Sequence, residues 1–249
     1  MAKERVDVVL ARKGLAPSRE KAQALIMAGE VYIGNEQITK ADKKIELDAP
    51  IEVRGNPVPY VSYGGVKLQK VLDVCTLDVK GKKALDIGSS TGGFTDCLLQ
   101  AGVSLVHAVD AGTHQLHEKL RNDARIILRE NCNARYLKFE DLGEKFDIIT
   151  IDVSFISLKM ILPVAVQFLK DDGHIISLVK PQFEVGRFEV GKGGIVKNTD
   201  KIREVLEDIQ EFGITVGLKA LNTMESPREK EKKNREYFIL WELQSNRQG

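Results

Sequence analysis

Apolar positions in this chain change their period along its length, and the changes divide it. From Arg5 to Lys13, Val6, Val9 and Leu10 fall at i, i+3 and i+4, one face of a short helix that Gly14 stops. Pro17 and Ser18 open a second helix, lined by Ala22, Leu25 and Ile26 and ended by Gly29. Val31-Tyr32-Ile33, a turn at Gly34-Asn35 and a resumption at Ile38 read as a hairpin. Pro50, Gly55, Pro57 and Pro59 then break the pattern. This predicts a small module over 1–53, a semi-rigid linker over 54–60 and a larger domain over 61–249.

In the larger domain a helix through Val71 and Leu72 precedes continuous apolar runs: Ala84 to Ile87, Leu105 to Val109, Ile126 to Leu128, Phe146 to Ile151 and His174 to Val179. Such runs, separated by helical spacings, predict a parallel sheet covered on both faces, an α/β fold. Asn198-Thr199-Asp200 caps a helix whose buried stripe is Ile202, Val205, Leu206 and Ile209 and whose end is Gly213. Ile214 to Leu221 and Tyr237 to Trp241 read as two closing strands.

With 249 residues, 43% of them hydrophobic, the chain can bury a real core, which argues against disorder. Its 37 basic and 36 acidic residues leave a net charge of +1, so any polyanion site is a local patch. Arg5, Arg12, Lys13, Arg19 and Lys21 are one candidate, spaced so that several can share a face suited to RNA phosphates. Glu4, Asp7, Glu20 and Glu30 lie among them, which equally suits an ordinary solvated surface. Cys75, Cys97 and Cys132 are dispersed and odd in number, as reduced thiols are. The charged opening, and the interruption of Ile148 to Leu169 by Asp152, Lys159 and Pro163, predict a cytoplasmic protein with no membrane partner. His114 and His117 lack acids or cysteines at ligand spacing, so no metal site is expected.

The strand ending in Asp86 runs into Gly88-Ser89-Ser90-Thr91-Gly92-Gly93-Phe94, a small-residue turn of the kind that hands a parallel strand to a nucleotide-binding helix. Its G-x-x-x-G-G spacing departs from the dinucleotide fingerprint G-x-G-x-x-G and favours a cofactor without a pyrophosphate. Asp110 closes the next strand about 20 residues on, where an acid can hold both hydroxyls of a ribose. Together these features suit S-adenosylmethionine; the plainer alternative is a glycine turn that lets a helix pack close to a sheet. Four ionisable residues add chemistry at strand ends and nearby: Lys67, Asp152, Lys180 and Glu236. Two amines crowded together favour the neutral form of one, which can accept the proton of a ribose 2′-hydroxyl, while two acids orient them. Two structural salt bridges would use the same residues. The glycine-rich loop from Phe183 to Gly194, with Arg187 and Lys192, is either a flap over substrate phosphates or a surface excursion.

Two resemblances bear on these alternatives. The run from Arg5 to Val53, with Gly14-Leu15-Ala16-Pro17-Ser18-Arg19-Glu20-Lys21-Ala22 and Ile26-Met27-Ala28-Gly29-Glu30-Val31, resembles the RNA-binding domain of the ribosomal protein S-four type. The remainder, with Ile151-Asp152-Val153-Ser154-Phe155-Ile156-Ser157-Leu158, Leu178-Val179-Lys180-Pro181-Gln182-Phe183-Glu184 and Asn234-Arg235-Glu236, resembles the TlyA family, described both as haemolysin-like and as ribosomal-RNA ribose 2′-O-methyltransferases. The resemblance implies a Rossmann-like methyltransferase domain with a mainly parallel seven-stranded sheet, behind a small α+β RNA-binding domain. It implies methylation of cytidine ribose in ribosomal RNA, with ribosomal subunits as partners. Lys67, Asp152, Lys180 and Glu236 form the implied catalytic tetrad, and Asp86, Gly88, Ser89, Ser90, Gly92, Phe94, Asp110 and Asn133 are the cofactor positions. Tyr63, where the family usually has arginine, and the charged run Arg228 to Lys233, where it has a small glycine-containing loop, depart from the pattern. A membrane-lytic protein and a non-catalytic ribosome-binding factor are the competing expectations.

Overall fold

A computed structural model describes residues 3–27, 30–54, 58–186, 190–191, 194–229 and 233–244. The chain forms two compact units that divide between Val58 and Pro59. The first contains β1 (Lys3–Arg5), α1 (Val6–Arg12), α2 (Arg19–Met27), β2 (Val31–Ile33), β3 (Glu36–Gln37), β4 (Lys44–Glu46) and β5 (Ile51–Val53). The Ser18 hydroxyl accepts the Lys21 amide at 3.2 Å and so caps α2, as its position predicts. β2 pairs with β3 and β5, β1 pairs with β4, and Val6, Val9, Leu10, Ala22, Ile26, Val31 and Ile38 are buried between them and the helices. Asp7 departs from the surface reading. It is buried, and it accepts hydrogen bonds from Arg5 Nε (3.1 Å), Arg19 Nε (2.9 Å) and Gln23 Nε2 (2.8 Å).

The second unit runs α3 (Tyr63–Val74), β6 (Lys83–Ile87), α4 (Gly93–Gln100), β7 (Leu105–Val109), α5 (Glu118–Arg121), β8 (Ile126–Arg129), α6 (Phe139–Leu142), β9 (Phe146–Ile151), α7 (Leu162–Gln167), β10 (Leu169–Val179), α8 (Pro181–Glu184), α9 (Thr199–Thr215), β11 (Leu218–Glu225) and β12 (Tyr237–Leu243). Its seven strands lie in the order β11-β12-β10-β9-β6-β7-β8, with β6 to β10 parallel and β12 antiparallel to both of its neighbours, β10 and β11. Because side chains alternate across a strand, Leu85, Ile87, Ile149 and Ile151 join the core under α7 and α9, while Ala84 and Ile148 join the one under α3 and α4. Among the described residues no helix is long and apolar enough to cross a membrane.

Three boundaries differ from the expected ones. β10 starts at Leu169 rather than His174, because its first turn of strand carries Lys170, Asp171 and Asp172, whose charge hides it from an apolar-run criterion. α9 continues through Gly213 to Thr215, and the last strand pair starts at Leu218, after Gly217 takes φ +84°. Gly213 is therefore a contact residue: the Trp241 ring lies where its Cβ would be. Trp241 cannot easily give way, being fully buried with Nε1 donating to Ser177 Oγ at 2.8 Å. Gly213→Ala should therefore lower the urea midpoint, because overpacking costs about 1–3 kcal/mol and outweighs the helix-propensity gain of about 1 kcal/mol. A variant as stable as the parent would show that the ring relaxes freely.

Candidate active site

The parallel strands β6, β7, β9 and β10 end at one edge of the sheet, and each passes directly into a candidate residue: Gly88, Asp110, Asp152 and Lys180. β12 runs the other way, so its beginning arrives there too. Tyr237 pairs with Val179, which brings Glu236 to the same edge. Lys67 comes from α3 and donates to Glu236 Oε2 at 2.5 Å, both side chains being about four-fifths buried (19% and 18% exposed). Lys180 Nζ pairs with Asp152 Oδ1 at 2.6 Å and donates to Ser154 Oγ at 2.9 Å. Lys67, Asp152 and Glu236 line one cavity of about 370 Å³ together with Gly88, Ser89, Ser90 and Phe94. The four ionisable residues thus meet as two lysine–carboxylate pairs beside the glycine turn.

The turn itself is built by backbone sterics. Gly88 takes φ +84° with the Asp152 carbonyl against the place where a Cβ would be, so only glycine lets β6 and β9 deliver their ends this closely. Ser90 takes φ +46° and its amide donates to Asp110 Oδ2 at 2.8 Å, while Gly112 N donates to Oδ1 at 2.7 Å. Asp110 therefore shapes the turn as well as lining the neighbouring cavity of about 550 Å³, and each of its oxygens retains a further lone pair. Gly88, Ser90 and Asp152 line both cavities; Asn133, which caps a 3₁₀ turn by accepting the Arg135 amide at 3.1 Å, lines the second. Gly92 takes φ +91° and caps α4 beside Phe94. The Ser89 hydroxyl is buried and has no partner among the described residues, as suits a group that a bound polar ligand would satisfy.

Asp86 does not belong with these residues. It is fully buried, lines neither cavity, and accepts Thr95 Oγ1 at 2.7 Å and Thr150 Oγ1 at 2.8 Å, bracing the turn from beneath. Burial pushes its carboxyl up to about 6, and the two hydroxyls only partly oppose that.

Two further residues bear on this site. Phe155 is 90% exposed at φ +63°, lines the larger cavity and packs against Phe183 with ring centroids 4.9 Å apart. Glu184 accepts Ser157 Oγ at 2.6 Å and Leu158 N at 2.9 Å, tying the loop after Asp152 to the helix after Lys180; burial raises its carboxyl. In the first unit Arg12 and Lys21 are exposed, Lys13 Nζ donates to Ala49 O at 2.8 Å, and Arg5 and Arg19 are held on Asp7. The expected contacts Arg187 and Lys192 lie outside the described residues.

A family model described as FtsJ-like methyltransferase matches residues 60–243, and an S4 domain model matches residues 4–51. The chain belongs to the FtsJ-like methyltransferases, in the TlyA family. It is 41% identical over 249 residues to the 16S/23S rRNA (cytidine-2′-O)-methyltransferase TlyA of Mycobacterium tuberculosis, covering 98% of this chain and 91% of that one. A solved structure from Streptococcus thermophilus, titled as a hemolysin, is 42% identical with TM-score 0.77 and covers 98% of this chain and 90% of its own. An S-adenosylmethionine dependent methyltransferase from Mesorhizobium loti shares the fold at TM-score 0.53 and 13% identity, over 72% of this chain and 99% of its own. In this FtsJ-like domain the glycine turn and the paired lysines stand where strand ends converge.

The Asp86 shift has a sign that can be tested. A carboxyl whose folded pKa is raised stabilises the fold fully below its unfolded value near 4 and loses that contribution as pH rises through about 6. Relative to wild type, Asp86→Asn should gain stability between pH 4 and 7, by on the order of 3 kcal/mol at most for a group shifted this far. Paired urea titrations at both pH values test this, and a difference independent of pH would exclude it.

Proposed function

We propose that this chain transfers a methyl group from S-adenosylmethionine to the 2′-oxygen of a cytidine ribose in ribosomal RNA. The observation that carries the proposal is the meeting of the pairs Lys67–Glu236 and Lys180–Asp152 beside the Gly88–Gly92 turn, in a chain 41% identical to a relative named for this reaction. The S4 unit supports an RNA substrate, since domains of this kind recognise structured RNA by shape and phosphate contacts.

S-adenosylmethionine supplies an electrophilic methyl carried on a sulfonium. Asp110 and Asn133 would hold its ribose and base side, and Ser89 and Gly88 the part nearest the lysines. The lysines act on the other reactant. An ammonium nitrogen held by a carboxylate presents its remaining hydrogens to the ribose oxygen and fixes its approach; as the O2′–H bond breaks, a lysine amine in its neutral form takes the proton. Alignment supplies most of the acceleration. Phe155, exposed at the lip, offers a ring for a base to stack on. Glu184 keeps the loops carrying Asp152 and Lys180 in register through its bonds to Ser157 and Leu158.

Undermethylated ribosomal subunits incubated with labelled cofactor test the reading. Wild type should place label on cytidine 2′-oxygens, and Lys180→Ala should lose about 10²–10⁴-fold in rate with cofactor affinity unchanged. Label on a base, or undiminished labelling by the variant, would overturn it. Glu184→Gln, which cannot accept both bonds through carboxylate oxygens, should lower turnover about tenfold while leaving subunit and cofactor affinities in place. Equal losses in affinity and turnover would instead mark a general loss of folding.

A further inference from the structure

A third cavity, of about 520 Å³, lies beside the start of α9 and is lined by Lys197, Arg228, Lys233 and Arg235 over an apolar floor that includes Val196 and Ile202. None of its described lining residues is acidic. Glu225 is shared by Arg228 at 3.6 Å and Arg235 at 3.7 Å, both beyond a good hydrogen bond. Lys233 pairs with Glu229. Lys197 comes from the segment before α9 and Arg228, Lys233 and Arg235 from one short run before β12, so the fold brings two stretches of the chain together here. In a chain of net charge +1, a wall of one sign is a local concentration that composition does not require.

Arg228 and Lys233 also line the cavity that contains Lys67, Asp152 and Glu236. The basic pocket is thus a continuation of the active-site cleft. We propose that it binds the phosphodiester backbone of the RNA strand next to the target ribose, with a neighbouring sugar or base against Val196 and Ile202. Guanidiniums suit this role, because a phosphate offers each the two-point contact that a shared, distant carboxylate does not. The apolar floor favours a nucleotide over a bare anion. The inference rests on the methyltransferase reading above and adds a binding site to it.

The test uses Lys197→Gln combined with Arg235→Gln, neither of which lines the cavity that contains Lys67, Asp152 and Glu236. Binding of the full-length protein to undermethylated ribosomal subunits is measured against KCl concentration, beside single-turnover labelling at saturating subunits. The double variant should bind about tenfold more weakly at moderate salt, and its slope of log affinity on log salt should be shallower by about one to two, as for loss of one or two phosphate contacts. Cofactor affinity and the saturated single-turnover rate should be unchanged. Lys219→Gln with Lys145→Gln, surface lysines elsewhere, should leave the slope alone. An unaltered slope in the double variant would overturn the pocket while leaving the methylation reading standing; failure of wild type to label subunits would remove that reading instead. Two further arms separate other occupants. Inorganic phosphate that binds wild type more tightly than the double variant, with RNA slopes equal, would assign the pocket to a free anion and overturn the proposal. Polyglutamate that competes as well as single-stranded RNA of equal charge would make it a site for acidic protein and overturn it too.

Discussion

Strand direction decides where the chemistry of this chain can lie. Four parallel strands end along one edge, and the antiparallel β12 begins there, so Gly88, Asp110, Asp152, Lys180 and Glu236 are delivered by the sheet itself rather than by long loops. Lys67 and Glu236 are 169 positions apart, yet their contact follows from helix α3 packing on the sheet. A one-residue slip in any of these strands would turn its inward side chains to the opposite face and break the arrangement. The hydrophobic pattern that fixes the register, Leu85 and Ile87 on one face and Ala84 on the other, therefore also fixes the site.

In each unit, carboxylates taken out of water serve as brackets, and their partners decide how they ionise. Asp7 is held far below the usual carboxylate range, first by its hydrogen bonds from Arg5 and despite its burial. Asp86 and Glu184 are raised, because burial outweighs the hydroxyl and backbone-amide hydrogen bonds that oppose it. A neutral Asp86 can still hold both threonines, since a protonated carboxyl keeps an accepting oxygen and gains a donor. The turn above it is therefore braced in either protonation state.

Most of the sheet was legible in the sequence because buried parallel strands read as apolar runs, and four of those runs stop at a glycine, an acid or a lysine. The places that were not legible share one cause: the deciding partner is distant. Asp7 reads as a surface acid until Arg19 and Gln23, 12 and 16 positions on, are seen to fold over it. Asp86 reads as a cofactor residue because it ends a strand, but Thr150, 64 positions away, claims one of its oxygens. Gly213 reads as a helix stop until Trp241 occupies its missing side chain. Phe155 gave no local signal, since a left-handed φ at phenylalanine is rare, and it is set by the loop that Glu184 ties down.

The pairing of each lysine with a carboxylate bears directly on a cationic methyl donor. Two like charges 4 Å apart cost about 4 kcal/mol at an effective dielectric of 20, so unpaired ammonium groups would repel a sulfonium brought beside them. Asp152 and Glu236, each paired with one lysine, offset that repulsion. In the proposed reaction the carboxylates are thus as necessary to holding the donor as the lysines are to holding the acceptor, and position supplies most of the rate.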